Sequence, residues 1–264
     1  MIPLHDNNPT ARFAVATVVL IAVNVGVFFL VQQGQRGTET VRAADGEDVS
    51  IDADLSFTYE WAAVPCEIVE RRPLGLEEIA DTVVRGDDTA CASSERAAGP
   101  ALFPDKREWV AVLVSMFLHG GWLHLASNML FLWVFGNNVE DRLGRPRYLG
   151  FYVAGGVVAT IAYVVVNRTS TVPLVGASGA IAAVMGAYLV WFPNVRIRTV
   201  IFMLIIFFTE IRARWLLLFW FVLQFFTSAE SGVAWVAHVA GFAFGVLAGL
   251  TLGPGRPSRA LNVR

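Results

Sequence analysis

Four polar side chains stand in otherwise apolar stretches and could together carry acyl-transfer chemistry. Ser178 lies in GASGA, His238 in AHVAG, and His124 and Asn128 are four residues apart in HLASN. A serine hydroxyl is a poor nucleophile until a base removes its proton, and a neutral imidazole can be that base near neutral pH. Ser178 and His238 therefore form a candidate nucleophile–base pair, and a further histidine, His119, precedes the group.

The same group contains donors for the oxyanion that attack on an amide carbonyl would create. The Asn128 amide and a ring N–H of His124 can donate, and so can the backbone N–H of Ser178 if this serine opens a helix. The apolar stretches around Ser178 and His238 contain no Asp or Glu. The sequence therefore predicts a catalytic dyad without an orienting carboxylate.

Each of these residues also has a plain structural interpretation. A serine at a helix start is commonly an N-cap, and a histidine in a membrane helix can simply bond a neighbouring helix. His119 and His124 could share a metal with a third ligand, but their spacing of five places them on different helical faces. We expect no metal at these histidines, and the combination of residues favours catalysis.

The elements that hold these residues are predicted to be membrane helices. The chain of 264 residues is 55% hydrophobic and 16% charged, whereas soluble domains are about 25% charged. Its long apolar runs lack the alternation of barrel strands and approach the ~20 residues that cross a bilayer as a helix. We place six spans at about 13–31, 122–139, 147–167, 178–193, 213–228 and 233–252.

Two shorter apolar runs do not fit a full span. Residues 109–118 and 199–208 form runs of ten, and ten helical residues cover only ~15 Å, half the hydrocarbon thickness. We predict that the first run is a re-entrant or interfacial piece before the second span. The second run is predicted to be interfacial or an extension of the fifth span.

Small residues predict close contact between the fourth and sixth spans. Gly176 and Gly179 flank Ser178, and the sixth span carries Gly241 and Gly245 four residues apart. Such spacing of small residues lets two helix backbones approach closely. This packing would bring the hydroxyl and the imidazole within about 3 Å of each other.

Basic residues predict the orientation of the chain. If both termini lie on one side, that side holds eleven basic residues against four acidic ones. The positive-inside rule then makes both termini cytoplasmic. The predicted organisation is a cytoplasmic N-terminus (1–12), a first transmembrane helix (13–31), an extracytoplasmic loop (32–108), a catalytic core (109–252) and a cytoplasmic tail (253–264).

The segment 32–108 contains the only two cysteines of the chain, Cys66 and Cys91. An even pair of cysteines outside the cell favours a disulfide, whereas in a cytosolic loop the two would be unrelated thiols. We expect the segment to be a decorated loop rather than a domain with its own core.

Taken together, these motifs resemble those of the rhomboid family of intramembrane serine proteases. HGGWLHLASNM, GASGA and AHVAG are similar to the histidine–asparagine, nucleophile and catalytic-histidine motifs of the family, and VEDRLG resembles its turn after the second span. The resemblance covers roughly 109–250, and the first span loosely. It implies an all-α polytopic membrane protein, a six-helix bundle here extended by an outer loop between helices 1 and 2, with an active site in a water-filled dip open to the outside.

The resemblance also implies a role for each site residue. Ser178 would be the nucleophile and His238 the base, His124 and Asn128 would stabilise the oxyanion with the Ser178 N–H, and His119 would organise the outer loop. Substrates would be single-span membrane proteins cut near the outer membrane boundary. The implied partners are these substrates and the lipid bilayer, without nucleic acid, metal or cofactor, and we expect residence in a bacterial plasma membrane.

Three features depart from the family pattern, and one is the long segment 32–108 with its two cysteines. Some members carry a tyrosine four residues after the serine, where its ring packs on the histidine, but this chain has Ala182, so another group must hold His238. Many members have Trp-Arg in the outer loop, whereas Trp109 is followed here by Val110.

Two other functions compete with proteolysis. A proteolytically inactive relative that binds membrane clients should lack Ser178 or His238, and both are present. A proton-coupled transporter should carry carboxylates deep in its spans, and the predicted spans contain almost none. The sequence therefore favours a rhomboid-type protease.

Overall fold

Helices dominate the computed structural model, which describes residues 1–35, 37–42, 48–92, 101–202, 206–226 and 234–253. Nearly all of the predicted tail, 254–264, lies outside this part of the chain. The helices are α1 (Val15–Gly26, continued by a π-helical segment, Val27–Gln32), α2 (Ala53–Trp61), α3 (Pro65–Glu70), α4 (Leu76–Arg85), α5 (Glu108–Val114), α6 (Trp122–Leu143), α7 (Arg145–Val166), α8 (Ser178–Trp191), α9 (Ala213–Gln224) and α10 (Trp235–Thr251), with 3₁₀ turns at Ala90–Ala92 and Ser115–Phe117.

Five short strands in the described ranges correct the prediction of a purely α-helical fold. β1 (Ile2–Asp6) pairs antiparallel with β4 (Arg196–Phe202), which also pairs with β5 (Ile206–Arg212). β2 (Thr38–Arg42) and β3 (Asp48–Asp52) form a separate antiparallel pair. The described residues of the run 199–208 therefore lie in β4 and β5 and not in an extension of the fifth span. The β-branched and aromatic residues of the run suit a strand as well as a helix.

Apolar helices identify an integral membrane protein. Among the described residues, Val15–Gln32 and Arg145–Val166 are long and apolar enough to cross a bilayer. α5 with its 3₁₀ turn and α6 meet at a bend of 80°, and this pair is either a third, broken span or a re-entrant loop. The apolar helices α8, α9 and α10 have 14, 12 and 17 residues. Each of the six predicted spans overlaps one of the helices α1, α6, α7, α8, α9 and α10. Six crossings stay a prediction, because α8, α9 and α10 are shorter than a ~30 Å hydrocarbon layer.

The chain forms two compact units. Unit 1 consists of residues 1–23, 121–159 and 178 onward, and unit 2 consists of 24–120 and 160–177. In unit 1, α8 is buried from Gly179 to Tyr188. A hydrogen bond joins this helix to the N-terminal segment, because the Tyr188 hydroxyl donates to the Asp6 carboxylate over 2.7 Å.

α10 packs directly on the backbone of α8 in unit 1. A Cβ at Gly241 would collide with the carbonyl oxygen of Gly179, and a Cβ at Gly245 would collide with that of Ala183. Glycine is therefore needed at both positions for the two helices to lie this close. The small-residue pattern of the sequence points to this same pair of helices.

Unit 2 corrects the expectation that 32–108 is a loop without a core. The side chains of Tyr59, Val64, Leu74 and Ile79 are buried together with the Cys66–Cys91 disulfide, whose Cα atoms are 6.1 Å apart.

A buried ion pair joins Lys106 to Glu67, whose side chains are 1% and 3% exposed. Burial raises the pKa of the Glu67 carboxyl, and the Lys106 ammonium opposes this shift. A cross-link and a buried ion pair thus supplement an apolar cluster that is small for a separate unit.

Candidate active site

Ser178 is the first residue of α8, and the turn that precedes it contains Gly176. Gly176 has a φ of 125°, a conformation that favours glycine. Its N–H donates to the carbonyl oxygen of Ser115 over 2.9 Å within unit 2. Gly176 thus shapes the turn before α8 and lies outside the helix, whereas Gly179 is inside α8, where a Cβ would lie 2.6 Å from the Cβ of Ala159.

His238 lies in the first turn of α10, within hydrogen-bonding distance of the serine. Its Nε2 is 2.8 Å from the Ser178 Oγ. The close packing of α8 and α10 through Gly241 holds the two side chains together. This is the separation at which an imidazole can accept a hydroxyl proton.

The other imidazole nitrogen of His238 contacts a residue that the sequence reasoning missed. Its Nδ1 is 2.7 Å from Oε1 of Gln224, the last residue of α9. Gln224 is 6% exposed, and its Nε2 donates to the Trp220 carbonyl oxygen over 3.0 Å. A signal was present, because Gln224 is a polar side chain at the end of the apolar run WLLLFWFVLQ.

The first two turns of α6 carry the predicted oxyanion donors. Asn128 is 7% exposed, and its amide nitrogen makes no hydrogen bond with any residue that the structure describes. His124 is half-buried and lies close enough to His238 for the two imidazoles to interact electrostatically. Asn128 thus keeps a buried donor available.

His119 belongs to unit 2, where a side chain anchors its backbone. Its N–H donates to the Gln32 Oε1 over 2.9 Å, and its carbonyl oxygen accepts from the Gln32 Nε2 over 3.2 Å. Its imidazole is buried, with the residue 2% exposed. Its predicted role in organising the outer loop stays a prediction.

One group of possible metal ligands occurs in the described part of the chain. It consists of Cys66, Glu78 and Cys91. Both cysteine sulfurs are bonded to each other, and a metal-binding cysteine must be a thiolate. These residues therefore do not fit a metal site.

The geometry around Ser178 suits covalent catalysis. A neutral His238 can take the hydroxyl proton through Nε2, which makes the serine oxygen a nucleophile. The peptide N–H groups in the first turn of α8 lack intrahelical partners and lie at the positive end of the helix dipole, close to that oxygen.

Comparison with known proteins assigns the chain to a family. The model of the rhomboid domain matches residues 106–255. The chain belongs to the rhomboid family. The match includes the residues predicted for the site, and rhomboid proteins from distant organisms resemble the chain over about a third of its length.

Three relatives illustrate which rhomboid proteins the chain resembles. The chain is 44% identical over 82 residues to the rhomboid protease GluP of Bacillus subtilis (strain 168), covering 31% of this chain and 16% of GluP. It is 35% identical over 82 residues to the putative rhomboid protease YdcA of that organism, covering 31% of this chain and 41% of YdcA. It is 33% identical over 98 residues to presenilin-associated rhomboid-like protein A, mitochondrial, of Danio rerio, covering 36% and 26%. The matched segments thus span less than half of each relative.

Proposed function

We propose that this rhomboid protein is an intramembrane serine endopeptidase that uses a Ser178–His238 dyad. The observation that carries the proposal is the 2.8 Å contact between the His238 Nε2 and the Ser178 Oγ. Membership of a family that includes named rhomboid proteases supports it. The apolar helices support an active site that works on membrane proteins.

The dyad would cleave a peptide bond in two stages. The Ser178 Oγ attacks the carbonyl carbon while the His238 Nε2 takes the hydroxyl proton. His238 then gives that proton to the departing amine nitrogen as the C–N bond breaks, which leaves an acyl ester on Ser178. A water molecule then attacks the ester carbonyl carbon while His238 takes one of its protons. The bond between the acyl carbon and the Ser178 oxygen breaks, the carboxylic acid is released, and His238 returns the proton to the Ser178 oxygen.

The negative charge on the tetrahedral intermediate would be stabilised by three donors. These are the Asn128 amide, a His124 ring N–H and the backbone N–H of Ser178. The buried and unsatisfied amide nitrogen of Asn128 supports its part. Gln224, which takes no part in this charge stabilisation, bonds the other side of the imidazole.

The proposed substrates are single-span membrane proteins cut near the outer membrane boundary. Their helices must unwind before cleavage because a hydrogen-bonded helical peptide is a poor target in a membrane. The proposal needs the bilayer and such substrates as partners, and no step in it uses a metal, a nucleotide or nucleic acid.

The proposed orientation places both termini in the cytoplasm and segment 32–108 outside. Asp105 and Arg12 are exposed, and both native cysteines are in the disulfide. A membrane-impermeant maleimide should therefore label Asp105→Cys in intact cells and Arg12→Cys only after permeabilisation. The reverse pattern would refute the orientation. A bacterial plasma membrane stays a prediction, since the relatives include both Bacillus proteins and a protein named as mitochondrial.

Cleavage by the purified protein tests the function. We expect the protein in proteoliposomes to cut some members of a panel of single-span membrane proteins, with product masses that define one bond in each. Ser178→Ala and His238→Ala should abolish these products because each removes one half of the dyad. Ser127→Ala, which removes an exposed hydroxyl on α6, should leave them unchanged.

Two results would contradict the proposal. Cleavage that persists in Ser178→Ala would exclude this serine as the nucleophile. Binding of the panel proteins without cleavage by any wild-type preparation would instead favour an inactive, client-binding rhomboid protein.

A further inference from the structure

We propose that Gln224 is the positioning residue for His238, so that the site works as a Ser178–His238–Gln224 triad with an uncharged third member. The inference rests on the proposed function and deepens it. It follows from the 2.7 Å contact between the His238 Nδ1 and the Gln224 Oε1. It supplies the group that holds the histidine, given that Ala182 stands where some rhomboid proteins carry a tyrosine.

The two bonds of Gln224 fix which of its amide atoms faces the imidazole. The Trp220 carbonyl oxygen can only accept a hydrogen bond, so the amide nitrogen of Gln224 must face it, at 3.0 Å. The carbonyl oxygen of the same amide then faces the His238 Nδ1. Trp220 and Gln224 share a helical face because they are four residues apart.

The orientation of the amide determines the tautomer of His238. A carbonyl oxygen accepts and does not donate, so the His238 Nδ1 must carry the proton when the ring is neutral. The lone pair of the neutral ring is then on Nε2, which lies 2.8 Å from the Ser178 Oγ. This is the tautomer that general-base catalysis requires.

Packing restricts the imidazole further. The Trp220 indole ring centre is 5.8 Å from that of His238, with the planes tilted by 41°. Gln224 is 6% exposed and therefore has little freedom to rotate away. Two residues of one turn of α9 thus hold both the position and the rotation of the ring.

The uncharged acceptor suits the surroundings of the imidazole. Among the helices that carry the triad, α8 and α10 have no Asp, Glu, Lys or Arg, and α9 has one, Arg214, at its opposite end. On α6 the titratable group that interacts electrostatically with His238 is His124. A carboxylate here would need a partner to offset its desolvation cost, whereas an amide orients the ring without that cost.

Two substitutions separate positioning from packing. Gln224→Met keeps the length of the side chain and removes the acceptor, and Gln224→Glu keeps an acceptor oxygen and adds charge. Leu223→Met, at an exposed neighbouring position, is the matched control. The measurements are kcat and KM for one cleaved substrate between pH 5 and 9, with the thermal midpoint of each variant.

We expect Gln224→Met to lower kcat about 10- to 1000-fold, part of the contribution of general-base catalysis, with KM little changed. Gln224→Glu should recover most of kcat, and the acidic limb of its pH profile should move to higher pH because a carboxylate stabilises the protonated ring. The thermal midpoint of Gln224→Met should stay close to that of Leu223→Met.

The proposal is overturned if Gln224→Met keeps the wild-type kcat and pH profile. It is also overturned if both Gln224 variants lose activity in proportion to a lowered thermal midpoint, since the bond would then be structural. Failure of the proposed function is distinguishable, because the wild-type protein would then show no cleavage that depends on Ser178.

Discussion

The Asn128 side chain offers the sharpest test of oxyanion stabilisation. Its amide nitrogen is buried without a partner among the described residues, so its donor is free to bond a developing charge. Loss of one oxyanion donor typically costs 10²- to 10³-fold in kcat. Because two other donors remain, we expect Asn128→Ala to lower kcat about 10- to 1000-fold with KM little changed, as measured by steady-state cleavage.

The control for Asn128 lies at the next position on α6. Met129 is 8% exposed, so Met129→Ala removes buried volume without removing a donor. Its thermal midpoint should fall, while kcat of the folded fraction stays near wild type. Equal loss of kcat in Asn128→Ala and Met129→Ala would show that packing, not hydrogen bonding, is the role of Asn128.

At the residue scale, the sequence identified side chains that could react, but it did not predict every contact between them. Ser178 and His238 could be singled out because a nucleophile and a base stood in apolar runs at similar predicted depth. Gln224 was missed because it stands alone at the end of an apolar run, outside the serine and histidine motifs. Its role depends on the rotation of α9 relative to α10, which no local pattern specifies.

Backbone contact between α8 and α10 is the feature on which the dyad depends at the element scale. A Cβ at Gly245 would collide with the carbonyl oxygen and Cα of Ala183. Because main-chain atoms cannot move aside as a side chain can, we expect Gly245→Ala to cost about 1–3 kcal/mol. The thermal midpoint and kcat should both fall, since displacement of α10 moves His238 away from Ser178.

Gly150 provides the matched control for this substitution. It lies in α7 with no atom within 4 Å of the position that a Cβ would occupy. Gly150→Ala should therefore leave kcat unchanged and should not lower the thermal midpoint, because alanine is the better helix former. Identical behaviour of the two variants would show that the α8–α10 contact is not limiting.

Helices marked by a long apolar run could be predicted from the sequence. Strands that pair with a distant segment of the chain could not. Each long apolar run gave a helix close to its predicted bounds. The described residues of the run 199–208 lie in strands because β4 pairs with β1, near the start of the chain. Apolar residues in a run of ten suit either element, and only the partner decides.

At the scale of the whole molecule, the disulfide tests how far the stability of unit 2 depends on a covalent link. Cys66 and Cys91 are 25 residues apart in sequence, and both lie in unit 2. Cys66→Ala/Cys91→Ala should destabilise unit 2 by about 2–4 kcal/mol. Amide hydrogen exchange should therefore accelerate in α2–α4, while α8 and α10 keep their protection and cleavage continues.

Reduction of the wild-type protein is the control. A reductant should reproduce the faster exchange in the wild type and add nothing in the double variant. Complete loss of cleavage on reduction would contradict the account, because the dyad would then depend on the covalent link in unit 2.

The contacts that hold segment 32–108 in unit 2 could not be predicted, since some of their partners come from a distant segment. The Cys66 N–H donates to the Ser170 carbonyl oxygen over 3.0 Å, and the hydroxyls of Thr82 and Thr171 are 2.6 Å apart. These contacts join 32–108 to the chain after α7. Its buried ion pair looked like ordinary surface charge in the sequence.

Covalent labelling of Ser178 tests the central claim most directly. A fluorophosphonate forms a bond from its phosphorus to an activated serine oxygen with loss of fluoride, while the hydroxyl proton passes to the base. We predict one adduct per chain, mapped to Ser178 by peptide mass, with labelling abolished in Ser178→Ala and strongly slowed in His238→Ala. An adduct on another residue, or equal labelling of Ser178 in the wild type and in His238→Ala, would contradict activation of this serine by this histidine.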